Sequence, residues 1–173
     1  MKTATHEQLR RLGTETGKEY GKLVQKLLAI AFLEEGVDEL IERSTQGIDL
    51  EVSLAGKRYA FEVKTCEGGS ITLGKKDLEG LDRQHASGLA TYVPVLGDRP
   101  TDEWIFVRYV PGELPAAKKL SLFGLRAYRD RDLEQRITRA FERATLKHAA
   151  TAAREGQSGL DRVLAAYPAR QLA

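Results

Sequence analysis

The chain predicts an α/β fold in which a central mixed β-sheet is flanked by helices and followed by a helical C-terminal extension. Three observations carry that expectation. Tyr20, Leu23, Val24, Leu27, Leu28 and Ala31 recur at helical spacing and form one apolar stripe. Segments 48–54 and 58–64 each alternate apolar and polar residues, and Ala55-Gly56 lies between them. The order helix, three strands, helix, two strands belongs to an α/β or α+β domain. Residues 1–114 form the expected core, and residues 115–173 a mainly helical, basic extension packed on it.

Each element has a local cause. The first helix is expected over 16–35, with Gly36 as its stop. A strand is preferred for 37–43, because Gly36 interrupts the helical pattern. Ser44-Thr45-Gln46-Gly47 reads as a turn into the hairpin. If Ala55-Gly56 is a two-residue turn, Leu54 pairs with Lys57, Val52 with Tyr59 and Leu50 with Phe61. Glu67-Gly68-Gly69 breaks the chain, a short strand resumes at 70–73, and a helix follows over 75–86 with Leu78 and Leu81 inward. Strands at 91–96 and 103–110 are separated by Gly97-Asp98-Arg99-Pro100, and 111–115 reads as a short linker. In the extension, Leu133, Ile137, Ala140, Phe141 and Ala144 make one stripe. Ser158 is expected to cap a final short helix ending near Tyr167.

A hydrophobic share of 42% and a charged share of 30% are those of an ordinary soluble globular protein. No apolar run approaches the roughly 18 residues of a membrane span, and the N-terminus lacks a signal peptide's apolar core, so a cytoplasmic protein without a membrane partner is expected. Cys66 is the only cysteine, which excludes an internal disulfide and argues against a cysteine-based zinc site. His6, His85 and His148 form no ligand pair at helical spacing. The net charge of +2 hides an asymmetry: residues 115–173 carry 12 Lys/Arg against 6 Asp/Glu, and residues 1–114 carry 15 against 19. A basic helical surface suits a polyanion; solvated helix faces have the same composition.

The hairpin register has a chemical consequence. Continued past Leu50 and Phe61, it sets Asp49 opposite Glu62 on the polar face, with Lys64 one step further along. Two facing carboxylates repel, and a divalent cation between them is the simplest remedy. Mg²⁺ takes oxygen ligands from one or two carboxylates, carbonyls and water, so Asp49, Glu62 and the Val63 carbonyl make a candidate set. An ammonium beside such a cation points to phosphoryl chemistry. Glu-Val-Lys alone reads better as an exposed strand face with alternating charges; the opposed Asp49 is what weakens that reading.

The layout Gly47-Ile48-Asp49, hairpin, Phe61-Glu62-Val63-Lys64-Thr65 resembles the core of the PD-(D/E)XK nuclease superfamily, and within it the archaeal-type Holliday-junction resolvases and related restriction-endonuclease-like proteins. The resemblance spans about 16–110 and takes in the leading Gly17-Lys18-Glu19-Tyr20, the strand at Ser70-Ile71-Thr72-Leu73 and Trp104-Ile105-Phe106-Val107. Ile48 stands where the superfamily pattern has proline. The resemblance implies a restriction-endonuclease-like core, with Asp49 and Glu62 as ligands of Mg²⁺ (Mn²⁺ substituting), Lys64 as the catalytic lysine, and Glu19 as a further acidic residue approaching from the helix. It implies a metal-dependent endodeoxyribonuclease, selective for branched DNA and so for recombination and repair. A sequence-specific restriction endonuclease on duplex DNA, or an inactive DNA-binding or assembly module, are the alternatives. A homodimer is expected, since two-fold symmetry matches two scissile phosphates.

Lys75 and Lys76 open a helix and are candidate contacts for DNA phosphates, or simply solubilising. Gly69 to Lys76 nearly spells a phosphate-binding loop, but Lys76 replaces the required hydroxyl, and a nucleotide-triphosphatase is rejected. Glu51 shares the Asp49 face in a supporting or solvent role. Leu120, Leu122, Phe123, Leu125 and Tyr128 form either core or a subunit interface.

Overall fold

The computed structural model describes residues 2–43, 48–98, 104–114 and 119–172. The 44–47 turn and parts of the 97–100 turn, the 103–110 strand and the 111–115 linker lie outside them. Helix α1 (Thr3–Thr16) passes through a 3₁₀ turn, Gly17–Glu19, into α2 (Tyr20–Glu34). Strands β1 (Glu39–Glu42), β2 (Leu50–Leu54), β3 (Lys57–Phe61), β4 (Lys64–Thr65) and β5 (Ser70–Ile71) precede α3 (Lys75–Ala86). Then come β6 (Ala90–Leu96), β7 (Trp104–Tyr109), β8 (Leu120–Ser121), the short α4 (Leu122–Leu125), the long α5 (Arg131–Ala165) and β9 (Arg170–Leu172).

The hairpin has the expected register: Leu50 pairs with Phe61, Val52 with Tyr59 and Leu54 with Lys57. Ala55 and Gly56 both have positive φ, 51° and 74°, as a twist-matched two-residue turn requires. Strands β3 and β4 keep one register against β6, Phe61 opposite Tyr92 and Lys64 opposite Val95, so they are two parts of one strand. The sheet therefore runs β7, β6, β3/β4, β2, β1, β9, with parallel pairs at β3/β4–β6 and β1–β9 and antiparallel pairs elsewhere. This is the central mixed sheet flanked by helices, with a helical C-terminal region, that the sequence predicts.

Strand alternation builds two cores. Leu50, Val52, Phe61, Tyr92, Leu96, Trp104 and Phe106 meet α1, α2 and α5 on one face, where Phe32 stacks on Phe61 at 4.9 Å and Trp104 meets Phe141 edge-on at 5.0 Å. Ile48, Ala60, Val93, Val95, Ile105 and Val107 form the second core with Leu81 of α3. The β5–β8 pair and α4 add Ile71, Leu120, Leu122 and Leu125 to it. Those leucines are core, while Phe123 points outward with 84% of its surface exposed.

Several elements differ from expectation. The N-terminal residues form α1, whose Leu9 and Leu12 are buried. The expected strand at 70–73 shortens to β5 and pairs with β8 rather than joining the main sheet. The chain beyond α5 returns as β9 alongside β1. A final short helix does follow a break in α5 at Gly156 (φ 60°, ψ −147°) and runs to Ala165, but Ser158 does not cap it, since its hydroxyl donates to the Glu155 carbonyl. That backbone conformation is open essentially to glycine alone.

Helix α5 starts on Asp130, whose Oδ1 accepts the Leu133 N–H at 3.0 Å while Oδ2 accepts the Tyr92 hydroxyl at 3.0 Å. Its basic residues face the acidic end of α2: Arg136 Nε and Arg143 Nη2 lie 3.2 and 2.8 Å from Glu35, and Lys147 lies 3.8 Å from Glu34. Part of the charge asymmetry thus joins two helices, and offsets two carboxylates at an unfavourable helix C-terminus.

Candidate active site

Asp49, Glu62 and Lys64 come together where the β2–β3 ladder ends. After Leu50–Phe61 the regular pairing stops, and Asp49 N–H bonds to the Phe61 carbonyl at 2.9 Å. Glu62 and Val63 belong to neither β3 nor β4. On the β6 side, Glu62 N–H reaches the Tyr92 carbonyl at 3.1 Å. The returning bond of a parallel ladder would come from residue 94, but Pro94 has no N–H to give. On the other side, Val63 N–H donates to Asp49 Oδ2 at 2.9 Å, replacing a backbone partner with a carboxylate. A gap in the sheet thus brings the Asp49 and Glu62 carboxylates together.

Glu62 is 6% exposed and its pKa is pushed up to about 7, first by burial and then by the charge of Asp49. Lys64 Nζ lies 2.7 Å from Glu62 Oε1 and opposes that shift. Burial disfavours the ammonium of Lys64, yet Glu62 and Asp77 outweigh it and hold its pKa above the ordinary value. The opposed carboxylates inferred from the register are therefore electrostatically coupled in the fold.

Two partners were not foreseen. Asp77, in the first turn of α3, places Oδ2 2.7 Å from Lys64 Nζ. Lys22 of α2 places Nζ 3.2 Å from Asp49 Oδ1 and 2.8 Å from Gln25 Oε1. Asp77 follows the Lys75-Lys76 pair already singled out, and its position three residues after Gly74 is the one sequence signal for a helix-start carboxylate. Lys22 precedes Leu23 of the apolar stripe and carries no signal beyond that.

Glu19 is exposed at the start of α2, with Oε2 3.3 Å from where a Cβ on Gly156 would lie; the charges acting most on Glu62 are Asp49, Lys64 and Asp77. Lys75 and Lys76 are exposed at the start of α3, Lys75 Nζ 3.6 Å from Glu79. Glu51 is buried and paired with Arg43 at 2.9 Å and Arg58 at 3.6 Å, a structural role. A cavity of about 550 Å³ is lined by Lys22, Gln25, Lys26, Glu42, Asp161 and Arg170 among others.

The donor set is all oxygen, which suits Mg²⁺, and the raised pKa of Glu62 marks a place where added positive charge is favourable. Among the described residues no three His, Cys, Asp or Glu side chains form a ready-made metal cage. Two carboxylates still meet the need of a cation that keeps several waters. No helix among the described residues is long and apolar enough to cross a membrane.

No protein-family model and no curated protein matches this chain. Among solved structures, the 1.6 Å structure of Hjc, a Holliday junction resolvase from the archaeal hyperthermophile Archaeoglobus fulgidus, is similar at 20% identity and a TM-score of 0.43, over 54% of this chain and 81% of that one. A likeness of that strength assigns neither family nor activity, and function is argued from the site.

Proposed function

We propose that the protein is a Mg²⁺-dependent DNA endonuclease with a restriction-endonuclease-like core, selective for branched DNA. One observation carries the reading: the Asp49 and Glu62 carboxylates meet at a gap in the sheet, with the Lys64 ammonium 2.7 Å from Glu62. Asp49, Glu62 and Val63 would hold the cation, which when bound supplies Lewis-acid polarisation of the scissile phosphate. Lys64 offsets the negative charge that grows on phosphorus oxygens in the transition state. Because two carboxylates favour its protonated form, it acts as a charge and proton donor rather than as the base. Water oxygen forms the new bond to phosphorus and releases a proton to solvent, while the bond to the 3′ oxygen breaks and that oxygen takes a proton from Lys64, which solvent reprotonates, leaving a 5′-phosphate and a 3′-hydroxyl. Lys75 and Lys76 would contact flanking phosphates. Glu19, at the start of α2, is proposed as an auxiliary acidic residue. A homodimer would present two such sites to two strands.

A second reading has an observation of its own. Lys22 and Lys64 already give both carboxylates an ammonium partner, as suits an inactive DNA-binding module. Incubating the protein with a four-way junction and with linear duplex, in Mg²⁺ or in EDTA, separates the two. Metal-dependent cleavage of the junction in preference to duplex is expected. Discrete fragments from plasmid duplex would favour a restriction endonuclease, and tight junction binding without turnover the inactive module.

A further inference from the structure

Asp77 reaches the site from the first turn of α3, and the nuclease reading gives its carboxylate no role. Its Oδ2 lies 2.7 Å from Lys64 Nζ and also accepts the Gly74 N–H at 2.9 Å, which anchors the carboxylate to the backbone where α3 begins. Lys64 Nζ lies 2.7 Å from Glu62 Oε1 as well, so its ammonium is held from the strand and from the helix at once. Both side chains of the Lys64–Asp77 pair are about one-fifth exposed (22% and 21%), where a charge-assisted hydrogen bond keeps much of its strength. The two holds differ in kind. Glu62 shares its strand face with Lys64 and, on the nuclease reading, is committed to the cation. Asp77 comes from a separate element, and its carboxylate is also held by the Gly74 backbone N–H.

A lysine needs such a second hold. Its ammonium sits on a flexible four-carbon stem with rotatable donors, so one partner leaves many rotamers open. Misplacement by about 1 Å is costly in a pre-organised site. We propose that Asp77 is a positioning residue: it keeps Lys64 aimed at the reacting phosphate when Glu62 turns to the cation, and so couples the start of α3 to catalysis. What Lys64 does there rests on the nuclease reading; the hold itself does not.

Asp77→Asn is the informative variant, because the amide oxygen still accepts from Gly74 while the charge facing Lys64 is gone. In Mg²⁺-dependent cleavage, kcat should fall about 10–100-fold with KM within about twofold. The thermal midpoint should stay close to wild type, and Asp77→Glu should recover part of the rate. In a Lys64→Ala background, Asp77→Asn should cost nothing further, since the two act through one contact. Unchanged kcat in Asp77→Asn, or effects of the two substitutions that simply multiply, would overturn the proposal. The hold is also measurable in the metal-free protein, by ¹H–¹⁵N NMR of the Lys64 ammonium. Slow proton exchange in wild type that is lost in Asp77→Asn is expected, and equal exchange in both would overturn it. Absence of any cleavage by wild type would instead remove the nuclease reading alone.

Discussion

Two charged clusters flank β2, and they are built to opposite ends. On the β1 side, Glu42, Lys26, Arg170 and Asp161 form a balanced quartet. Lys26 Nζ lies 3.2 Å from Glu42 and 2.7 Å from Asp161, and Arg170 Nη2 lies 2.7 and 3.0 Å from the same two carboxylates. Four elements (α2, β1, α5 and β9) each supply one member, and two positive charges meet two negative ones. On the β3 side, Asp49, Glu62 and Asp77 meet Lys64, with only the half-exposed Lys22 added at the edge. There Glu62 is pushed to about 7. Charge balance fastens the first cluster, whereas the second is left with carboxylates in excess.

The largest expected effect breaks the balanced side. Glu42→Ala strands Lys26 and Arg170 against Asp161 alone and should cost about 3–5 kcal/mol in urea unfolding at neutral pH. A loss below about 1 kcal/mol would mean the quartet does not fasten β9 to β1. Next, Lys64→Ala should lower Mg²⁺-dependent cleavage by about 10²–10³-fold while leaving the thermal midpoint near wild type. Full activity in that variant would remove Lys64 from the mechanism.

The pH dependence sharpens the contrast further. Glu62 titrates near 4.5 when unfolded and near 7 when folded, so the folded metal-free protein holds this proton more tightly. Its contribution to stability is present below about 4.5 and is lost as the pH rises through about 7. Glu62→Gln should therefore flatten the fall in thermal midpoint between those values and raise the midpoint at pH 8. Mg²⁺ at pH 8 should stabilise wild type and leave Glu62→Gln nearly unmoved. A wild-type midpoint that rises across this window, or equal Mg²⁺ responses, would refute the coupled pair.

The smallest effect concerns the α2–α5 seam. Arg143→Ala removes an exposed pair with Glu35 and should cost only about 0.2–1 kcal/mol. Its affinity for junction DNA and the salt dependence of binding should stay as in wild type. A drop in the salt slope by about one would instead place a phosphate on α5.

Much of the site was legible before folding, because a two-residue turn sets every cross-strand pair around it. Ala55-Gly56 placed Leu50 on Phe61, and the alternation then carried Asp49 towards Glu62 and Lys64. The register alone did not show that the ladder stops there. Pro94 stands in a strand 32 positions from Glu62, and only its arrival alongside explains the missing bond on the β6 side. Asp77 was invisible for the same reason: its helix start carries a local signal, but its contact is with another strand.

The sequence by itself determined the α/β class, the hairpin and its register, the helical stripes and the trio Asp49, Glu62 and Lys64, since each follows from periodicity or turn chemistry within a few residues. The tertiary structure alone decided where Glu19 sits, that β5 leaves the main sheet for β8, that β9 closes onto β1, and that Lys22 and Asp77 complete the site. Those outcomes depend on which distant surfaces bury each other, and no local pattern encodes that choice.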